Sequence, residues 1–151
     1  MSLEQKLLGS WELVDCKVVQ GGTLKDLPIG PADQCGGFLI YSYDGLVSAT
    51  ISGLDRPPFR DGSVHGGTSE EKLRAYGSII SYVAEFEVDE PASTVTHHIR
   101  YATFPNWVNS KQIRKCTFAG ETLRLDAPPM LLDGGEEQAS YLAWRRVGDE
   151  K

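Results

Sequence analysis

Three residues able to move a proton or hold a charge stand where strand geometry would turn them to one side. His97 lies next to His98 in the run Thr96-His97-His98-Ile99-Arg100-Tyr101. Successive side chains on a strand point to opposite faces, so the two imidazoles cannot look the same way. Val95, Ile99 and Tyr101 share the parity of His97, whereas Thr94, Thr96 and Arg100 share that of His98. His97 is therefore the inward one, and an imidazole on an apolar inner face needs a hydrogen-bond partner or a chemical role. By the same reading Asp15 shares a face with Trp11 and Leu13, and Arg114 shares one with Gln112, Cys116 and Phe118. His97 near its ordinary pKa would transfer a proton at neutral pH, Asp15 would orient or charge-stabilise it, and Arg114 would hold a developing enolate or carboxylate. Those parts serve an aldol-type ring closure, a dehydration or a double-bond shift with no cofactor, in a pocket that orients the substrate.

Each residue also has a plainer reading. An inward histidine is commonly a structural one with both nitrogens satisfied, and Asp15 can pair with Arg114 as a bridge. A register slip of one residue would scatter the trio. Tyr41, Tyr82, Phe86 and Tyr101 are candidates to face a ligand, with core packing as their alternative. Asn106 and Trp107, in the turn-like Phe104-Pro105-Asn106-Trp107, are the remaining ligand-binding candidates. His97 and His98 cannot chelate one ion from a regular strand, so no metal site is expected. The paired glycines read as turns, not as a phosphate loop, and no nucleophile elbow is present.

The elements that must hold these side chains are short and regularly punctuated. Ser2 with Gln5 is a capping-box pattern that opens a brief helix ended by Gly9, and a first strand runs from Ser10 to Val19. Gln20 to Gln34 reads as a loop. Phe38 to Tyr43 and Leu46 to Ile51 form a hairpin about Asp44-Gly45, a pair suited to a two-residue primed turn. A polar excursion, Ser52 to Gly67, precedes a second capping box at Thr68 and Glu71, and Leu73, Tyr76 and Ile80 then fall on one face of a helix of about three turns. The alternating stretch from Tyr82 to Val88, the histidine strand, a hairpin from Gln112 to Asp126, a loop from Pro128 to Gly135 and a last strand from Ala139 to Val147 complete the chain. Gly148 to Lys151 reads as a tail. Eight sequential strands close most simply into an up-and-down antiparallel barrel, an all-β fold with room for one small ligand. A two-sheet sandwich competes with it.

Length and charge narrow the partners. One domain spanning residues 1–151 suits a chain of 151 residues. Fifteen Lys and Arg against twenty-one Asp and Glu leave a net charge of -6, which argues against nucleic acid or an anionic membrane as partner. A hydrophobic small molecule remains, bound by a monomer or homodimer. Cys16, Cys35 and Cys116 form an odd set without CxxC spacing, so reduced thiols and a cytoplasmic location are expected. The first nine residues lack the apolar run of a signal peptide, and no window reaches membrane-spanning length.

The opening Leu8-Gly9-Ser10-Trp11-Glu12-Leu13 places Gly-x-Trp at the first strand, which resembles the lipocalin signature. With Tyr41-Ser42-Tyr43-Asp44-Gly45-Leu46, the histidine strand, Phe104-Pro105-Asn106-Trp107-Val108 and Leu142-Ala143-Trp144-Arg145-Arg146, the chain resembles the intracellular lipocalin-like domain family over nearly its whole length. The resemblance implies that Trp11 closes the barrel floor with Arg146 lying across it. It also implies kinship with proteins of fungal polyketide pathways, where some related barrels are cofactor-free cyclases. The expected function is a cofactor-independent cyclase or isomerase acting on a polyketide-like molecule. The alternative is a non-enzymatic carrier of a hydrophobic metabolite, and a self-filled interaction module is a third reading.

Overall fold

Ser2 and Gln5 close the first helical turn reciprocally, the Ser2 hydroxyl accepting from the Gln5 amide and the Gln5 side chain accepting from the Ser2 amide. The Glu90 carboxylate, from a distant turn, accepts from the next free amides, those of Leu3 and Glu4. The computed structural model describes residues 1–131 and 134–148. Its elements are α1 (Leu3–Leu7), β1 (Gly9–Gln20), β2 (Thr23–Lys25), β3 (Cys35–Tyr41), β4 (Leu46–Gly53), α2 (Ser69–Gly77), β5 (Ile79–Asp89), β6 (Thr94–Ala102), β7 (Lys111–Ala119), β8 (Thr122–Leu131) and β9 (Glu137–Arg146).

Eight of the strands close into an antiparallel barrel in the order β1-β3-β4-β5-β6-β7-β8-β9, and β9 pairs back to β1. Closure leaves no free sheet edge within the barrel. The ninth strand, β2, folds back only on the far end of β1. Gln20 to Gln34 is therefore not all loop. Gly21 and Gly22 both take positive φ and form a two-residue turn between Gln20 and Thr23, the backbone that a primed hairpin turn requires. At Asp44-Gly45 only Gly45 has positive φ. The Ser42 amide bonds the Leu46 carbonyl, so three residues turn the chain between that pair, not the expected two.

Leu3, Leu7 and Trp11 plug one end of the barrel. The Trp11 indole donates to the Leu7 carbonyl at 2.8 Å. The Arg146 guanidinium lies 4.1 Å from the centre of the Trp11 ring and donates to the Leu8 and Lys6 carbonyls. One side chain thus ties the last strand, the floor and the free carbonyls at the end of α1.

Helix α2 begins at the Thr68–Glu71 capping box as its sequence dictates. Its apolar stripe is not a core face, however: Leu73 is 73% exposed, Tyr76 is 52% exposed, and Ile80 already belongs to β5. Strand β8 runs past Ala127 through Pro128 and Pro129 to Leu131, where the sequence predicts a loop. The ladder skips there, Ala127 pairing with Ser140 and Met130 with Gln138, because proline has no amide to donate. Leu132 and Asp133 of that expected loop, and Asp149 to Lys151 of the expected tail, lie outside the described residues. No helix among the described residues is long and apolar enough to cross a membrane.

Candidate functional site

Opposite the plugged floor the barrel encloses a cavity of about 260 Å³. Leu39, Ala49, Ile51, Leu125 and Leu142 give it apolar walls, and Leu27, Pro28 and Trp107 stand at its mouth. Most of its polar lining comes from three neighbouring strands, with Gln138 and Ser140 added from β9. Tyr82 comes from β5, His97 from β6, and Gln112 and Arg114 from β7. The volume is just below the roughly 300–1,000 Å³ of ordinary small-molecule sites, which suits a one-ring occupant better than an extended chain.

His97 is inward as its parity requires, 1% exposed, while His98 faces out and meets Glu87 at 2.8 Å. The His97 ring is held at both nitrogens: Tyr41 Oη lies 2.7 Å from Nε2 and Tyr82 Oη lies 2.7 Å from Nδ1. Burial, with the charge of Arg114 and then that of His98 adding to it, pushes the imidazole pKa down to about 3. His97 is thus neutral at physiological pH, and the near-ordinary titration expected of it does not occur. A neutral ring has one N–H and one bare nitrogen. Tyr41 is sealed beneath His97 and has no other hydrogen-bond partner among the described residues. It must donate to Nε2, since accepting there would strand its own proton. The remaining ring proton then sits on Nδ1 and is given to the Tyr82 oxygen. The Tyr82 hydroxyl proton is left free on a side chain that lines the cavity.

Arg114 faces inward with Gln112, Cys116 and Phe118, as the strand pattern requires. It donates to the side-chain oxygen of Gln112 and to the Ile113 carbonyl, and no carboxylate pairs with it among the described residues. Burial raises the Tyr82 phenol to about 12, the charge of Arg114 tempering the rise. Burial also pushes the Cys116 thiol up to about 11 and the Tyr41 phenol well above its usual value. None of these groups carries a negative charge near neutrality.

Asp15 does not join them. The ladder with β9 skips a residue between Leu13 and Asp15, and this bulge at Val14 reverses the parity of the rest of the strand. Cys16 and Val18 face inward, and Asp15 turns out to accept from the Tyr141 hydroxyl at 3.1 Å. The expected Asp15–His97–Arg114 trio is therefore a His97–Arg114 pair with two tyrosines. A second bulge displaces Tyr101: Val83 pairs with Tyr101 but Ala84 with Ile99. Arg100 is the extra residue, and Tyr101 becomes 75% exposed. Asn106 is also exposed and does not line the cavity. Trp107 does, with its ring edge-on to Tyr82 at 5.9 Å. Tyr41 and Phe86 pack edge-on beneath the cavity, 4.9 Å apart, and do not line it.

One cavity residue enters the sequence reading only within the stretch Leu142-Ala143-Trp144-Arg145-Arg146. Trp144 is fully buried against the cavity, and its indole N–H lacks a partner among the described residues. Buried donors are seldom left so.

A closed barrel with a plugged floor and an apolar cup, polar on one side, defines a small-molecule-binding barrel. The chain belongs to the lipocalin-like domain family, whose model matches residues 8–147. It is 30% identical over 107 residues to the 4'-hydroxy-3'-methoxypropiophenone carrier protein of Aspergillus oryzae, an alignment covering 67% of this chain and 96% of that relative. Fold and kinship together support the binding of a hydrophobic ligand.

Proposed function

We propose that the chain is a carrier that takes an aromatic ketone of one-ring size into the barrel and shields it. The observation that carries this reading is the state of His97. General acid–base catalysis needs a group whose pKa lies near the working pH. In this cavity the imidazole is held down at about 3 and Tyr82 up at about 12, and Cys116, two residues along β7 from Arg114, is up at about 11. The apolar walls suit an aromatic ring, the volume suits a single one, and the fungal relative is named for carrying a propiophenone. The three free cysteines support a cytoplasmic, reducing setting.

A cofactor-independent isomerase or cyclase is the second reading. It is favoured by the free Tyr82 proton near the Arg114 guanidinium, two donors of the kind that stabilise an enolate. Incubation with 4'-hydroxy-3'-methoxypropiophenone in D2O separates the two. A carrier binds the ketone, seen as quenching of tryptophan fluorescence, and returns it with deuterium exchange beside the carbonyl no faster than in protein-free buffer. Exchange accelerated by about 100-fold, a typical general-catalysis effect, would replace the carrier by the isomerase.

A further inference from the structure

The cavity holds a full positive charge with nothing to balance it among the described residues. Guanidinium stays protonated in proteins, although burial draws Arg114 downward. The groups around it are neutral on every side. Strand β3 offers the Tyr41 phenol, β5 the Tyr82 phenol and β6 the neutral His97. Strand β7 itself offers the Gln112 amide and the Cys116 thiol. From β8, Leu125 faces in while Asp126 turns outward to Arg124, and β9 contributes Gln138 and Ser140. Lys111 and Lys115 of β7 are exposed. A largely buried charge without a counter-ion is costly, and a bound anion relieves that cost.

The Trp144 indole supplies an independent sign of a missing partner. Through Leu123 it aligns with Phe118, four residues along β7 from Arg114, a separation of roughly 13 Å along the strand before side chains reach inward. A charge without a counter-ion and a donor without an acceptor thus stand at different depths of one apolar cup.

Building on the carrier reading, we propose that the site recognises its aromatic ligand as an anion, with an ionised ring oxygen on Arg114 and the Tyr82 hydroxyl, and a second oxygen on the Trp144 indole. On binding, the ring hydroxyl gives its proton to solvent and the phenolate stays in the cavity. A ligand of this class is an apolar ring carrying an acidic oxygen at one end and a carbonyl at the other.

The test tracks the ultraviolet band of 4'-hydroxypropiophenone, which moves to longer wavelength on ionisation, across pH with and without protein. Bound to the native protein, the probe should ionise about one pH unit or more below its free midpoint, which means at least about tenfold tighter binding of the anion than of the neutral phenol. Arg114→Lys should keep most of that shift and Arg114→Gln should abolish it. Propiophenone, which cannot ionise, should bind the native protein and Arg114→Gln within about threefold of one another, about 0.7 kcal/mol. 4-Ethylbenzoate, ionised throughout, tells a carboxylate from a phenolate. An Arg114-dependent preference for either anion over propiophenone supports the proposal, and the tighter of the two names the source. If propiophenone fails to bind while ethylbenzoate binds through Arg114, the ketone-carrier reading falls and the anion site stands. A bound probe that ionises at or above its free midpoint, together with ethylbenzoate no tighter than propiophenone, overturns the anion site.

Discussion

The Tyr41 hydroxyl lies 2.7 Å from Nε2 of His97, and both side chains are closed off from solvent. That contact sets the imidazole tautomer and, through it, frees the Tyr82 proton for the cavity. Tyr41→Phe leaves Nε2 as a buried acceptor without a donor, a loss of about 1–3 kcal/mol. Chemical denaturation should record that loss as a lower midpoint with an unchanged slope. A variant as stable as the native protein would mean that His97 takes no bond from Tyr41.

His97 also makes stability depend on pH. In the unfolded chain it titrates near 6.5 and in the fold near 3. Between those values the unfolded state takes up a proton that the fold refuses, so this contribution is whole above pH 6.5 and is lost as the pH falls toward 3. The slope approaches about 1.4 kcal/mol per pH unit. Urea denaturation at stepped pH should show it, and the His97 imidazole resonances should stay those of the neutral ring at pH 4.5 (about two units below an ordinary histidine). A His97 ring that titrates near its ordinary value of 6.5 sinks the prediction.

Asp15 should be silent in binding, because the bulge at Val14 places it on the outside against Tyr141. Asp15→Asn keeps an oxygen for the Tyr141 hydroxyl and should change stability by no more than about 0.5 kcal/mol. Calorimetric titration with 4'-hydroxy-3'-methoxypropiophenone should give the native affinity. A tenfold loss, about 1.4 kcal/mol, would place Asp15 back at the site.

Those three residues also mark how far the sequence can be read. Strand parity places His97 inside and His98 outside, and it places Arg114 on the cavity side of β7, because regular alternation is what a barrel wall requires. The same rule misplaces Asp15 and Tyr101. Each comes directly after a bulge: the extra residue Val14 does interrupt the alternation of apolar and polar side chains, standing beside the apolar Leu13, whereas the extra residue Arg100 leaves no break in it. The turns are legible in kind but exchanged in detail. Gly21-Gly22 supplies the two positive φ angles of a primed hairpin, while Asp44-Gly45 uses only one. Leu73 and Tyr76 have helical spacing without a surface to cover, since a barrel's core is already enclosed by its strands. The Tyr41–His97–Tyr82 chain joins three strands through side-chain reach, which neighbouring positions in a sequence do not encode.

Trp144 offers the sharpest contrast between stability and binding. Its ring is buried in the wall, yet its N–H is unmet among the described residues. Trp144→Phe removes that donor, whose stranding costs about 1–3 kcal/mol, and so offsets much of the packing lost with the larger ring. The ligand-free variant should therefore melt within a few degrees of the native protein, well short of the roughly 3–5 kcal/mol penalty of truncating a core tryptophan to alanine. Its stabilisation by a saturating aromatic ketone should shrink, because the carbonyl loses its donor and the affinity falls by about tenfold. Thermal melts with and without ketone read both effects together. A variant strongly destabilised without ligand but stabilised normally by it would show the indole N–H to be satisfied within the protein.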